Sequence, residues 1–194
     1  IQTFANRILE KEHQNLSDKG QIYFSRMQGA AQRMQKLIDD LLAFSRLNTS
    51  ERKFESVNLK TIIDEAITNL NEIIEEKQAT VEMSEMCEAD VIVFQFRQLM
   101  FNLISNALKF SKPNVKPHIK IKSNVAKGSR FKVKNLSPDQ DYCHISVSDN
   151  GIGFEEKYNE KIFEVFQKLH GKDEYPGTGI GLATVKKIVD HHNG

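Results

Sequence analysis

Between residues 20 and 47, Phe24, Met27, Ala31, Met34, Leu37, Ile38, Leu41 and Leu42 recur at steps of three and four with polar side chains between them. The segment has no proline and only Gly29 as an interior glycine, so the spacing predicts one long amphipathic helix, roughly 40 Å at 1.5 Å per residue. Phe4, Ile8 and Leu9 carry the same period through residues 1–11, and the polar residues 12–20 predict a turn between two antiparallel helices. A two-helix hairpin cannot bury its own apolar stripe. Two partners remain open: the same hairpin from a second copy, giving a four-helix bundle, or the rest of this chain. A helix well beyond the mean of about 11–12 residues favours the bundle. Ile1 already lies inside the apolar pattern without a preceding Met, and the sequence closes on His191-His192-Asn193-Gly194, where a helix would end. Both termini are therefore expected to be cut from a longer protein.

Residues 48–56 (NTSERKFES) are short and polar and break the period, so the boundary between a hairpin at 1–48 and a second domain at 49–194 is expected there. Beyond it the elements alternate. Ile62, Ile63, Ala66, Ile67, Leu70, Ile73 and Ile74 predict a single helix over 59–77 with Asn58 as its N-cap. A strand is expected near 79–84, a helix over 94–110, and strands at 118–123 and 131–134. The clearest strand is 142–149, with Ile145 and Val147 on one face, and a last helix is expected over 178–192. Strands joined to helices, with one open face of the sheet, give an α/β sandwich. No internal repeat or low-complexity tract is visible.

Composition narrows the function classes. Among 194 residues, 27 Lys+Arg against 26 Asp+Glu leave a formal charge of +1, which excludes the broad basic footprint of a dedicated nucleic-acid binder. Cys87 and Cys143 are far apart and neither belongs to a Cys-x-x-Cys pair, so neither a disulfide framework nor a thiolate zinc site is expected. No stretch approaches the roughly 20 apolar residues of a membrane span, and the N-terminus lacks the layout of a signal peptide. The chain reads as cytoplasmic.

Chemistry concentrates in three clusters. On the helix over 94–110, Met100, Leu103, Ile104, Ala107 and Leu108 form an apolar stripe, while Asn102, Asn106 and Lys109 fall at i, i+4 and i+7 on the other side. An Asn carbonyl is a neutral hard-oxygen ligand suited to Mg²⁺, and a Lys beside it supplies charge to phosphates. The second cluster, Asp149-Asn150-Gly151-Ile152-Gly153-Phe154, follows the clearest strand. Its glycines allow positive φ and close approach, and Asp149 can accept a hydrogen bond from a base amino group. An ordinary Asn-Gly hairpin turn would demand a second strand straight after it, and residues 155–168 do not read as one. The third, Gly177-Thr178-Gly179-Ile180-Gly181-Leu182, opens onto a helix whose bare N–H groups and dipole favour phosphate. It lacks the Lys of a P-loop, and no clear strand precedes it as a dinucleotide-binding fingerprint requires. Between these two, a polar segment with Phe163, Phe166, Lys168, His170, Lys172 and Pro176 suits a lid over a nucleotide.

In this order the clusters resemble the nucleotide-binding boxes of sensor histidine kinases, within the ATPase superfamily shared with gyrase, Hsp90 and MutL. NLISNALKFS resembles the N box, DNGIGF the first glycine box, FEVF the F box and GTGIGLA the second glycine box. KLHGKDEYPGTGIGLATVKKIVDHHNG is similar to phytochrome-like sensor kinases, and RMQKLIDDLLAFSRL resembles the second helix of the dimerisation and phosphoacceptor domain. The resemblance implies an α+β two-layer sandwich of the histidine kinase/Hsp90-like ATPase fold, preceded by a helical hairpin that forms a dimeric four-helix bundle. It implies ATP and Mg²⁺ as cofactors, with Asn106 as the Mg²⁺ ligand, Asn102 facing the phosphates and Lys109 contacting phosphate. By the same resemblance Asn106 and Lys109 carry the catalysis. Phe110 would pack near the adenine, Asp149 would read its amino group, and Gly151 and Gly153 would shape the base pocket. Gly177, Gly179 and Gly181 would cradle phosphates, with Thr178 and Leu182 beside them. The implied partners are a second copy, a response-regulator receiver domain and an upstream sensor domain, with no nucleic acid.

Two departures from the family pattern stand out. The family's acceptor histidine lies on the first bundle helix before an acidic residue and a proline, and none of the 6 histidines has that context. It is expected upstream of Ile1, so that these residues bind ATP without phosphorylating themselves. The closing strands that follow His-Asn-Gly in the family are also absent from the sequence. An ATP-hydrolysing clamp is the rival activity, but it places a Glu base four residues before the metal-binding Asn, where this chain has Asn102, which accepts no proton at neutral pH. A non-catalytic dimeric ATP-binding module remains a third reading.

Overall fold

A computed structural model of the chain describes residues 2–12, 15–47, 53–131, 136–169, 175 and 177–194. The hairpin consists of α1 (Gln2–Glu12) and α2 (Asp18–Arg46). Ser17 caps α2, its hydroxyl accepting from Gly20 N, and Asp18 and Arg46 sit at the ends that suit the helix dipole. Across the hairpin Gln28 Nε2 donates to Asn6 Oδ1 over 2.7 Å, and Ala5 is buried at the contact. No residue of α2 is buried, and Met27, Met34, Ile38 and Leu42 are each about half exposed. The stripe that dictates the helix is therefore not covered by the rest of the chain along most of its length.

After the hairpin come β1 (Glu55–Asn58), α3 (Leu59–Thr68), α4 (Asn71–Glu76), β2 (Thr80–Met83), β3 (Glu88–Val91), α5 (Val93–Lys109), β4 (His118–Lys127), β5 (Asp141–Asp149) and α6 (Gly181–His191). One layer is a three-stranded sheet of order β2-β4-β5, parallel between β2 and β4 and antiparallel between β4 and β5. A separate antiparallel pair joins β1 to β3. The helices form the other layer. Leu59, Ile62, Ile63 and Ala66 of α3 meet Phe96, Leu99, Met100 and Ile104 of α5 over Ile119 and Ile121 of β4, in one continuous core. At roughly 25 cal/mol per Å² of apolar surface, a fully buried Leu or Ile contributes about 1.5–3 kcal/mol. The core thus fixes the facing of α5.

Several expectations need correction. The predicted helix over 59–77 breaks at Asn69-Leu70, where the turn tightens: Leu70 N donates to Ile67 O, and Thr68 Oγ1 bonds back to Asp64 O. Strands β1 and β3, of four residues each, were not predicted, and β1 takes Glu55 and Ser56 from the expected linker. The last helix begins at Gly181, three residues after its expected start, because Gly179 holds φ +77°. Cys87 and Cys143, expected to be unlinked, form a disulfide with a Cα–Cα distance of 6.5 Å. Spacing hides this because the partners are 56 residues apart. Cys143 lies opposite Val125 of β4, and Cys87 N donates to Ser123 Oγ of the same strand. The predicted strand at 131–134 lies mostly outside the described residues, as do the domain boundary near 48 and His170, Lys172 and Pro176 of the expected lid.

The end of α6 is tied to the start of α5 by His192. Its Nε2 accepts from Ile92 N at 3.0 Å and its Nδ1 faces Ile188 O at 2.7 Å. With Nε2 accepting, the network assigns the proton of Nδ1 to the bond with Ile188 O. Replacing His192 by Ala leaves the N–H of buried Ile92 unpaired, a cost of about 1–3 kcal/mol. Denaturant unfolding should show the midpoint falling accordingly, and an unchanged midpoint would remove His192 as a clamp between the helices.

Candidate functional site

The mouth of the sandwich is built by α5, the loop after β5 and the loop before α6. A cavity of about 1580 Å³ opens there, beyond the roughly 300–1,000 Å³ of an ordinary small-molecule cleft. It runs from Asp149 and Phe154 past the polar face of α5 to Lys36 and Asp40 of α2. Because Met100, Ile104 and Leu108 are buried on the other side of α5, its period turns Asn102, Asn106 and Lys109 into this cavity. Among the described residues neither asparagine amide has a hydrogen-bond partner. Both remain available to a ligand.

Asp149 ends β5 opposite Ile119, the strand partner that is fully buried. Its Oδ1 accepts from Gly151 N at 2.8 Å, closing the turn and leaving Oδ2 toward solvent. Gly151 does not itself line the cavity. It sits behind the wall, where a Cβ would stand 2.6 Å from both Asp149 Oδ1 and Phe110 O, so no larger residue fits there. Ile152 N donates to Phe110 O at 2.9 Å, which fastens the loop to the end of α5. Asn150, not singled out by sequence, pins the same loop: its Oδ1 accepts from His118 N at 2.8 Å and its Nδ2 donates to Lys116 O at 3.0 Å. Gly153, at φ +64°, and half-buried Phe110 both line the cavity, and the Phe110 ring packs 5.1 Å from that of Tyr175.

The loop before α6 faces α5 directly. A Cβ at Gly181 would stand 3.7 Å from Asn102 Oδ1 and from Asn106 Nδ2, and one at Gly177 would come within 2.5 Å of Lys109 Nζ. Gly179 is the constrained position. At its positive φ a Cβ would also meet the Phe166 backbone at 2.8 Å, and Phe166 N donates to Gly179 O at 2.9 Å. The aromatic segment is thereby stitched to the glycine loop. Ile180, at the N-cap of α6, gives no side-chain cap, so the first N–H groups of the helix are unclaimed by a side chain at the cavity wall. Thr178 and Leu182 line the wall with them.

Charge at this end is positive. Lys109 is half-buried, and its ammonium is held below the usual lysine range first by burial and then by the charges of Lys168 and Lys36. Its ring contact is with Phe110, 4.4 Å away. Sequence reasoning missed the residues that the hairpin brings in. Thr178 Oγ1 donates to Asp40 Oδ2 at 2.6 Å. Lys187 of α6 donates to Phe44 O at 2.9 Å and lies 4.0 Å over the Phe44 ring. Only their place on α2, one helical turn apart on the face toward the sandwich, could have drawn attention to Asp40 and Phe44.

Fold and site together define a two-layer α+β domain with a nucleotide-type cleft, carrying a helical hairpin docked beside that cleft. Residues 91–194 match the family model described as "Histidine kinase-, DNA gyrase B-, and HSP90-like ATPase", and residues 1–50 match "His Kinase A (phospho-acceptor) domain". The chain belongs to this ATPase family and, within it, to the histidine kinases. It is 37% identical over 161 residues to "Phytochrome-like protein Cph1" of Synechocystis sp., an alignment covering 83% of this chain and 20% of that protein. The chain thus spans about a fifth of the length of the phytochrome relatives it matches. Among solved structures, full-length ShkA in complex with AMPPNP superposes with TM-score 0.65 at 20% identity, covering 99% of this chain and 39% of that one. Histidine kinase ThkA in complex with response regulator protein TrrA gives TM-score 0.61 at 19% identity, covering 98% of this chain and 51% of that one. At such identities the likeness is one of fold.

Gly179→Ala tests the stitching. Forcing an alanine to positive φ costs about 1–3 kcal/mol, and the clash with Phe166 must be relieved as well. The melting temperature should fall and the Phe166 amide should exchange its hydrogen faster; unchanged exchange there would show that the two loops are independent.

Proposed function

We propose that this chain is the ATP-binding part of a protein-histidine kinase, and that the intact protein passes the γ-phosphoryl of ATP to a histidine and then to an aspartate of a response regulator. The observation that carries the reading is the convergence on one cavity of two unpaired Asn amides, a lysine, an acidic loop and an uncapped helix N-terminus. Breaking the γ-phosphate's P–O bond and forming a P–N bond to imidazole needs positioning and charge neutralisation more than covalent help from the protein. In this reading Asp149 Oδ2 accepts from the adenine amino group while Phe110 flanks the base. Gly177, Thr178, Gly179, Gly181 and Leu182 wrap the phosphates at the start of α6. Lys109 holds its ammonium against them.

The donor set suits Mg²⁺ of the hydrated kind. Asn106 offers one neutral oxygen with Asn102 beside it, and among the described residues no group of three His, Cys, Asp or Glu could hold a metal by itself. Mg²⁺, when bound, would neutralise charge on the phosphates. Asn102 also separates kinase from clamp, because an amide cannot take a proton from water. In this reading the acceptor imidazole lies upstream of Ile1, since none of the 6 histidines stands before an acidic residue and a proline as the family pattern requires. The uncovered stripe of α2 serves a second copy, and the hairpin is where a receiver domain docks. No helix among the described residues is long and apolar enough to cross a membrane.

Asp149→Ala removes a charged acceptor contributing about 1.5–3 kcal/mol and should weaken ATP binding by roughly 10- to 100-fold in calorimetry. Unchanged affinity would sink the assignment of this carboxylate. For the transfer itself, a chain extended upstream of Ile1 and given radiolabelled ATP should gain acid-labile, base-stable phosphate. Label absent from such a chain, with ATP still bound, would leave the non-catalytic module.

Lys109 sets a pH dependence. A polyphosphate favours its charged form, so binding draws the depressed pKa back upward. ATP affinity should stay at its maximum below the free-state pKa and fall as pH rises through it, earlier than for an ordinary lysine. The cations facing it, Lys36 and Lys168, act in the same direction. In Lys109→Met this early fall should vanish from titrations on the alkaline side; its persistence would assign the titration to another group.

A further inference from the structure

The phosphate end of the cavity is not walled by the sandwich alone. Asp40 of α2 accepts from Thr178 in the middle of the glycine loop, at 2.6 Å. Lys36 precedes Asp40 by one helical turn, on the same face of α2, and lines the cavity with it. Lys109 Nζ lies against Gly177, the residue before Thr178, and its ammonium feels the charge of Lys36 as well as that of Lys168. Three ammonium groups from three separate parts of the chain therefore share one space. Among the described residues none of them has an acidic partner. Like charges gathered beside an uncapped helix N-terminus repel one another until an anion fills the space, and a triphosphate carries enough negative charge to engage all three.

We propose that Lys36 is a nucleotide-phosphate-binding residue contributed by the helical hairpin, and that Asp40 is the positioning residue whose bond to Thr178 holds α2 close enough for Lys36 to reach. The inference rests on the ATP-binding reading above. It makes the nucleotide site complete only while hairpin and sandwich are docked. Bound ATP strengthens the docking by as much as the docking strengthens ATP binding.

The test is calorimetry on the full chain with Mg-ATP, AMP and adenosine. Lys36 is exposed, so its replacement leaves the fold intact. Lys36→Ala should weaken ATP by roughly 3- to 10-fold, the scale of a partly screened ion contact, and leave AMP and adenosine unchanged, while Lys36→Arg restores ATP. Asp40→Ala should reproduce the ATP-selective loss, whereas Asp40→Asn, which keeps an acceptor for Thr178, should not. Unchanged ATP affinity in Lys36→Ala, an equal loss for adenosine, or tighter ATP binding in Asp40→Ala would each overturn the inference. Failure of the unaltered chain to bind ATP would overturn the reading beneath it, and the inference with it.

Discussion

Helix α5 buries an apolar stripe on one side, and this one-sided burial sets everything around it. Met100 and Ile104 have no exposed surface, with Leu108 almost as covered. A helix repeats every 3.6 residues, so fixing those three positions leaves Asn102, Asn106 and Lys109 no freedom to face elsewhere. The other walls are then registered to α5 by short polar links. Phe110 O, at the end of the helix, accepts from Ile152, and His192 ties the last helix to the residue before the first turn. The groups that converge on the cavity gain their rigidity from a core that itself carries no chemistry.

What could be read from the sequence was what periodicity or glycine spacing records locally. The long period of α2 and the two faces of α5 are found in the structure, and residues of the three clusters line one cavity. The failures share a cause. β1 and β3 are four residues long, too short for a period to stand out even though β3 buries Val91, and each supplies the other's backbone partners. The break between α3 and α4 depends on backbone bonds around Thr68 to Leu70 that an unbroken apolar pattern conceals. Asn150 reads as a turn residue until the structure shows both ends of its amide in use. Lys36 and Asp40 read as an ordinary solvated helix face until the sandwich is seen docked on it.

The near-neutral composition fits a site in which charge is placed locally. The ammonium groups near the glycine loop stand where helix N–H groups already favour an anion. A net +1 chain holds them at the cost of a depressed Lys109. On the opposite wall, Asp149 has one oxygen engaged by its own turn and the other open. Separating the acidic end from the basic end along a single cavity orients a molecule that has a hydrogen-bond donor on one end and phosphates on the other.

The junction between hairpin and sandwich is physically unlike the core. α2 contributes no buried residue to it; Leu47, just past the helix, is the apolar anchor, and the remaining links described are Asp40 to Thr178 and Lys187 to Phe44. A charge-assisted hydrogen bond contributes about 1.5–3 kcal/mol and an exposed cation–ring contact about 0.5–1 kcal/mol. Those sums are far below what fastens α3 to α5, so the two parts can separate without either unfolding. The proposed function would use this freedom: a nucleotide held at the cleft has to meet an acceptor and then withdraw from it. An interface made of one apolar anchor and a few polar links is strong enough to set a geometry and weak enough to leave it.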